Sequence, residues 1–293
     1  MDAGERRAML TRQDAALSVY SYGPPPGPGV PAIVFVHGYP DDHAVFAPVI
    51  AELSVDHHVI AYDTRNAGAS RAARERLDSY RLPALVDDLF AVIDASSAGP
   101  VHLVGHDWGS IQGWAAIQNA RAEGRILSFT SISGPDLGHL RRWMRHRLHH
   151  LALWPQALAQ VLRSSYVAVF QLPMLPELAW RMFLTRRYER LSGRRIGDNA
   201  IRGLALYRAN WLRAQQLPGR CTVPVQVIVP QRDPFLSPLL VDGLQDWVPQ
   251  LKIVDVNAGH WWPAEEAQSF ALLLRKWIAQ TPGPSAPQAK KRR

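Results

Sequence analysis

Short, β-branched apolar runs recur along this chain, each closed by a turn signal and most followed by a stretch of helical period, and few architectures accommodate that alternation. The runs are Ala32–Val36, His58–Ala61, Val101–Val104, Leu127–Ile132, Val225–Val229 and Ile253–Val256. Helices are expected near Val45–Leu53, Leu82–Asp94, Ser110–Ala122, Pro238–Trp247 and Glu265–Ala279. Buried strands joined by helices pack as a mostly parallel central sheet with helices on both faces, so the expected fold class is α/β.

Between Asp136 and about Pro218 the alternation stops, and the chain reads as consecutive helices rich in Arg, Trp, Leu and His. An insertion there would lie over the carboxyl edge of the sheet as a helical lid. The expected division is therefore a core in two parts, 1–135 and 219–281, a lid over 136–218, and a disordered basic tail over 282–293.

The stretch VHLVGHDWGS, Val101–Ser110, concentrates the chemistry. A strand runs into Gly105-His106-Asp107-Trp108-Gly109 and then a helix, the small-x-nucleophile-x-small pattern of a sharp strand-to-helix elbow. An ordinary aspartate at a turn or helix start would satisfy the same pattern taken alone. As a nucleophile, Asp107 differs from serine in being anionic at neutral pH, so it can displace a leaving group from an sp³ carbon directly. The resulting ester needs a second step in which a histidine activates water beside an oxyanion hole.

Two later loops supply that step. His260 follows the run Ile253–Val256, and Asp233 follows Val225–Val229, so both stand at the sheet edge that receives Asp107. The chain order Asp107, Asp233, His260 is the nucleophile, acid, histidine order of hydrolases. Asp136, in SISGPDLG, is a second candidate for the acid, with Asp233 preferred. After the first strong run, His37-Gly38-Tyr39-Pro40 places the Tyr39 amide where it can join that of Trp108 as the oxyanion hole.

A formal charge of +8 is compatible with nucleic acid or anionic lipid as partner, yet nearly all of it is arginine and no nucleic-acid signature accompanies it. No Cys/His set has metal-ligand spacing and Cys221 is alone, so neither metal, organic cofactor nor disulfide is expected. No apolar run is long enough to span a bilayer, and the polar start has no leader-like core; a cytoplasmic protein is expected, with peripheral membrane contact and homodimer formation left open. The segment Leu140–Trp154 is read as a lid helix with a solvated face, its alternative being an amphipathic surface that meets lipid.

With these motifs the chain resembles the epoxide hydrolase branch of the α/β-hydrolase superfamily from about Val19 to Gln280. The resemblance implies two lid tyrosines that receive the epoxide oxygen. Ser165–Pro173 resembles the first tyrosine segment and Ala205–Trp211 the second, giving Tyr166 and Tyr207. It also implies that His37, Trp108 and Trp261 border the substrate, a small epoxide that is xenobiotic or lipid-derived. Haloalkane dehalogenases share the same motifs and are the alternative, with Trp108 as a halide donor; a non-catalytic binding module is the second. Asn66-Ala67 departs from the glycine and aromatic residue usual in relatives, which bears on the shape of the pocket.

Overall fold

The computed structural model describes residues 5–25, 31–97, 99–211 and 218–281; the tail expected over 282–293 lies outside them. Its strands are β1 (Arg6–Thr11), β2 (Ala15–Tyr22), β3 (Ala32–Val36), β4 (Val59–Tyr62), β5 (Arg71–Ala72), β6 (Val101–His106), β7 (Ile126–Ile132), β8 (Val225–Pro230) and β9 (Leu251–Val256). They form one sheet in the order β1-β2-β4-β3-β6-β7-β8-β9, with β5 added beside β2. From β4 to β9 every pairing is parallel. That is why β3, β6 and β8 are buried along their whole length, β3 as an unbroken apolar run: both of their faces are covered.

Helices α1 (Ala47–Leu53), α10 (Trp262–Glu265) and α11 (Ala267–Gln280) cover one face, and α2 (Leu82–Ser96) and α3 (Trp108–Ile117) the other. The chain leaves β3 in one direction to β4 and continues on the other side at β6. The loops after β3 and β6 therefore diverge around a crevice, the place where open α/β sheets bind ligands.

Between β7 and β8 lie α4 (Leu137–Leu148), α5 (Trp154–Arg163), α6 (Tyr166–Phe170), α7 (Leu175–Ala179), a π-helical turn (Trp180–Leu184), α8 (Thr185–Ser192) and α9 (Asn199–Asn210). This lid packs on the sheet edge through a third apolar cluster that joins Tyr39, Trp108 and Leu137 to Tyr207. Among the described residues no helix is long and apolar enough to cross a membrane.

Three local features depart from expectation. The strands β1 and β2 form an antiparallel hairpin that the alternation did not announce. The sequence of β1, RRAMLT, is almost wholly exposed and has a single neighbour, so pairing there requires no apolar face. Pro238–Trp247 is not a helix but two 3₁₀ turns, Pro238–Val241 and Leu244–Asp246, parted by Gly243 at φ +83°. A left-handed glycine ends helical winding there. The helix expected over Ser110–Ala122 stops at Ile117, and Asn119 caps a separate 3₁₀ turn by accepting from the Arg121 amide.

Candidate active site

Asp107 stands between the last residue of β6 and the first of α3 with φ +52° and ψ −120°, a conformation costly for a residue that carries a Cβ. Its backbone is pinned on both sides. The Asp107 amide donates to Ile132 O at 3.0 Å, and its carbonyl accepts from Ser110 and Ile111 at 2.9 and 3.0 Å. The turn closes this tightly because a Cβ at Gly109 would strike the Val36 carbonyl and one at Gly134 the Asp107 carbonyl.

The side chain leans over Gly38, where a Cβ would meet the Asp107 carboxylate, and Oδ1 accepts the Tyr39 amide at 2.7 Å. Burial pushes the Asp107 carboxyl up to about 6, against the opposing pull of His260 and of the Tyr39 and Trp108 amides. Both amides expected of the oxyanion hole thus act on the carboxylate already.

His260 follows β9 on the loop that leads to α10. Its Nε2 is 3.8 Å from Asp107 Oδ2, and its Nδ1 donates to Asp233 Oδ2 at 2.8 Å. The other Asp233 oxygen accepts the amides of Phe235 and Leu236 at 2.8 and 3.3 Å. Burial alone would raise the Asp233 carboxyl, but the His260 charge and these donors hold it below the ordinary range. The imidazole experiences the converse: burial disfavours its charge, yet Asp233 and Asp107 together raise its pKa above the usual histidine value. Asp136, the other candidate acid, is engaged elsewhere, accepting the His139 amide at 2.7 Å as the cap of α4 and Gln118 Nε2 at 2.9 Å.

The lid completes the site. Tyr166 at the start of α6 and Tyr207 in α9 line one cavity together with Asp107, Trp108, Phe235 and His260. Their rings meet edge to face with centroids 5.9 Å apart. Tyr207 also lies edge to face across Trp108, with centroids 5.0 Å apart. Burial and the Asp107 charge raise both phenols well above their ordinary pKa, so both stay protonated at any physiological pH.

His37 and Trp261, expected to border the substrate, do not line this cavity. The His37 ring nitrogens are taken by Gly38 O at 2.9 Å and by the Thr64 amide at 2.9 Å, so His37 shapes the loop that presents Tyr39. The Trp261 indole donates to Asp41 Oδ2 at 3.0 Å. Asp41 itself had no signal in the sequence. Its other oxygen accepts from the Tyr188 hydroxyl at 2.7 Å and from Arg194 Nε at 3.2 Å, so one buried carboxylate ties the lid to the residue after His260. His106 is a second positioning group. Burial drives its pKa down to about 3, so the neutral ring donates Nε2–H to the His260 carbonyl at 2.9 Å.

Asn66 takes the left-handed conformation, φ 59°, that glycine would supply. Its amide bonds the Tyr80 hydroxyl and the Ala72 backbone, and the residue is absent from the cavity wall. Asp42, His43 and Asp63 bring donor atoms close enough to hold a cation. Those atoms already serve one another and the backbone: His43 Nδ1 lies 2.6 Å from Asp63 Oδ1, and Asp42 caps the Ala44 amide at 3.0 Å.

Comparison with known proteins agrees with this architecture. A family model described as alpha/beta hydrolase fold matches residues 31–267. Among curated proteins, the probable oxidoreductase EphD of Mycobacterium tuberculosis is 33% identical over 279 residues, covering 87% of this chain but 46% of that protein. The chain thus spans about half the length of that relative. Mouse epoxide hydrolase 3 is 29% identical over 149 residues, covering 50% of this chain and 36% of the mouse protein. Among solved structures, a Bacillus megaterium epoxide hydrolase in complex with an inhibitor superimposes with a TM-score of 0.74 at 22% identity, over 93% of this chain and 100% of that one. The matched family region contains the elbow of Asp107 and the loops of Asp233 and His260, and the chain belongs to the α/β-hydrolase fold family.

Proposed function

We propose that this protein hydrolyses epoxides to vicinal diols through an alkyl ester on Asp107. The observation that carries this reading is the convergence of two lid phenols, Tyr166 and Tyr207, with Asp107 on one cavity. An alkoxide leaves a carbon readily only when something acidic meets it, and two neutral phenols opposite an anionic nucleophile answer that need. The names of the mouse and Bacillus megaterium relatives lend support. The haloalkane dehalogenase alternative would use the same Asp107 and Trp108 but has no need of two phenols in the cavity wall, which is why the epoxide reading is preferred.

In this reading Oδ1 of Asp107 rests on the Tyr39 amide, and Oδ2 attacks a ring carbon. The carbon–oxygen bond breaks and the epoxide oxygen takes a proton from the tyrosine pair. His260, oriented by Asp233, then removes a proton from water as the water oxygen adds to Cγ of the ester. The oxyanion on Oδ1 meets the Tyr39 and Trp108 amides. Collapse expels the diol oxygen, which takes from His260 the proton that water gave up, and the proton left on the Asp107 carboxyl passes to the phenolate, restoring both groups.

This sequence of bonds fixes where solvent oxygen goes. In a single turnover in H₂¹⁸O with enzyme in excess, the first diol is expected to be unlabelled and the Asp107 peptide to gain the heavy oxygen. Label in the first-turnover diol would mean that water opens the ring directly.

The pH profile follows from the same groups. Attack needs Asp107 ionised, so kcat/KM is expected to fall tenfold per unit as pH drops below about 6. Ester hydrolysis needs His260 neutral, and its raised pKa means this step also fails on the acid side. The raised phenols put no basic limb below about pH 10. A stopped-flow profile with a basic limb near neutrality would contradict these assignments.

A further inference from the structure

The lid is built partly inside out. On α5, Ala157 and Gln160 are buried, whereas Trp154, Leu158, Val161 and Leu162 are each more than half exposed. These four recur at helical spacing, so they form one outward apolar stripe. A second stripe, Leu175, Leu178 and Met182, faces outward from α7 and the π turn, again with every member more than half exposed. Among the described residues, fourteen of the twenty exposed large apolar side chains lie between Leu148 and Leu191. A patch of that density marks an interaction surface. Within the segment Leu140–Trp154, α4 turns Leu140 and Trp143 inward, and it is the far end, Leu148, Leu151 and Trp154, that joins the exposed set.

Charge selects the occupant. The chain carries 33 Lys and Arg against 25 Asp and Glu, and residues 137–197 alone carry 11 Arg against 2 Glu, leaving 22 against 23 elsewhere. The whole positive excess therefore belongs to the lid. Both glutamates are engaged, Glu177 with Arg208 and Glu189 with the Ile196 amide. Exposed Arg186, Arg187 and Arg190 form no ion pair among the described residues, whereas Arg147 and Arg194 are paired with core carboxylates. A second copy docked through the same face would set two positive lids against each other. Exposed apolar stripes, one of them bearing a half-exposed tryptophan, and unpaired arginines in the same lid match an anionic bilayer surface instead, with the stripes among the acyl chains and the guanidinium groups at the phosphates.

We infer that the outer face of the lid, centred on α5 and on Leu175–Met182, docks on anionic membrane surfaces. This surface is separate from the catalytic cavity and does not depend on the epoxide reading. The test is flotation of the full chain with vesicles of phosphatidylcholine alone or containing about 30 mol% phosphatidylglycerol. Binding is expected only with phosphatidylglycerol and should weaken as salt rises. Leu158→Asp with Leu162→Asp should abolish it, and the triple variant Arg186→Glu, Arg187→Glu, Arg190→Glu should lower partitioning on the order of a hundredfold. All five positions are exposed, and circular dichroism melts matching the parent would establish that each variant is folded. Equal binding to both vesicle types, binding unchanged by either variant, or no binding at all overturns the inference. So does a dimer in light scattering that Leu158→Asp dissociates, which would assign the stripe to a second copy.

Discussion

Replacing His260 with glutamine is expected to halt turnover at the ester, so that intact-protein mass spectrometry shows one covalent adduct per chain with the mass of the whole epoxide. Ring opening needs only the anion of Asp107 and the two phenols; the change removes the pull of His260 on that anion but leaves the Tyr39 and Trp108 amides that also favour it. Glutamine cannot take a proton from water, so steady-state diol formation should fall at least about a thousandfold. The fold should survive, because Asp233 keeps the Phe235 and Leu236 amides as donors. In Asp107→Ala no adduct should form from any substrate. An adduct equal only to the alkyl group of a halide, with none from an epoxide panel, would transfer the assignment to dehalogenation. Repeated turnover by a clean His260→Gln preparation would remove His260 from the water-activating role.

The second large effect should come from the lid. Removing one hydroxyl, as Tyr166→Phe or Tyr207→Phe, leaves the other phenol to meet the oxygen and should slow ester formation about a hundredfold; removing both should slow it at least about a thousandfold. The loss belongs to the alkylation step, so rapid-quench measurement of the ester should show it in full, while hydrolysis of ester already formed stays near the parent rate. A reactive alkyl halide, whose leaving group needs no proton, should alkylate Asp107 in the double variant nearly as fast as in the parent. If both hydroxyls can be lost with little change in ring opening, the tyrosines are merely packed lid aromatics and the proton comes from elsewhere.

The elbow and its two partner loops were legible in the sequence because their signals are local. Glycines flank Asp107 where close backbone approach demands them, and Asp233 and His260 each follow a recognisable buried strand. The lid tyrosines came through resemblance, since nothing in the spacing of Tyr166 and Tyr207 indicates that two separate helices bring them together. Periodicity fails in a different way at Leu140–Trp154 and on α5. It tells which residues share a face, not which face turns inward, and here the apolar face of α4 is buried while that of α5 is exposed. The N-terminal hairpin was missed because β1 needs no apolar pattern at an edge. Asp41 was invisible because its partners, Tyr188, Arg194 and Trp261, come from distant parts of the chain.

The inward side of α5 has a consequence for recombination. Gln160 donates to Phe235 O at 3.0 Å and accepts from the Ser237 amide at 2.8 Å, and Arg163 donates to Asp233 O at 2.5 Å. Three polar links from one lid helix thus brace the loop that carries the histidine's carboxylate partner. A chimaera that exchanged the lid for one from another hydrolase would inherit a slack acid loop even if both parents were active. Cut points that carry Gln160 and Arg163 along with residues 233–237 keep the brace whole. The unit of exchange in this protein is therefore larger than the insertion that the sequence delimits.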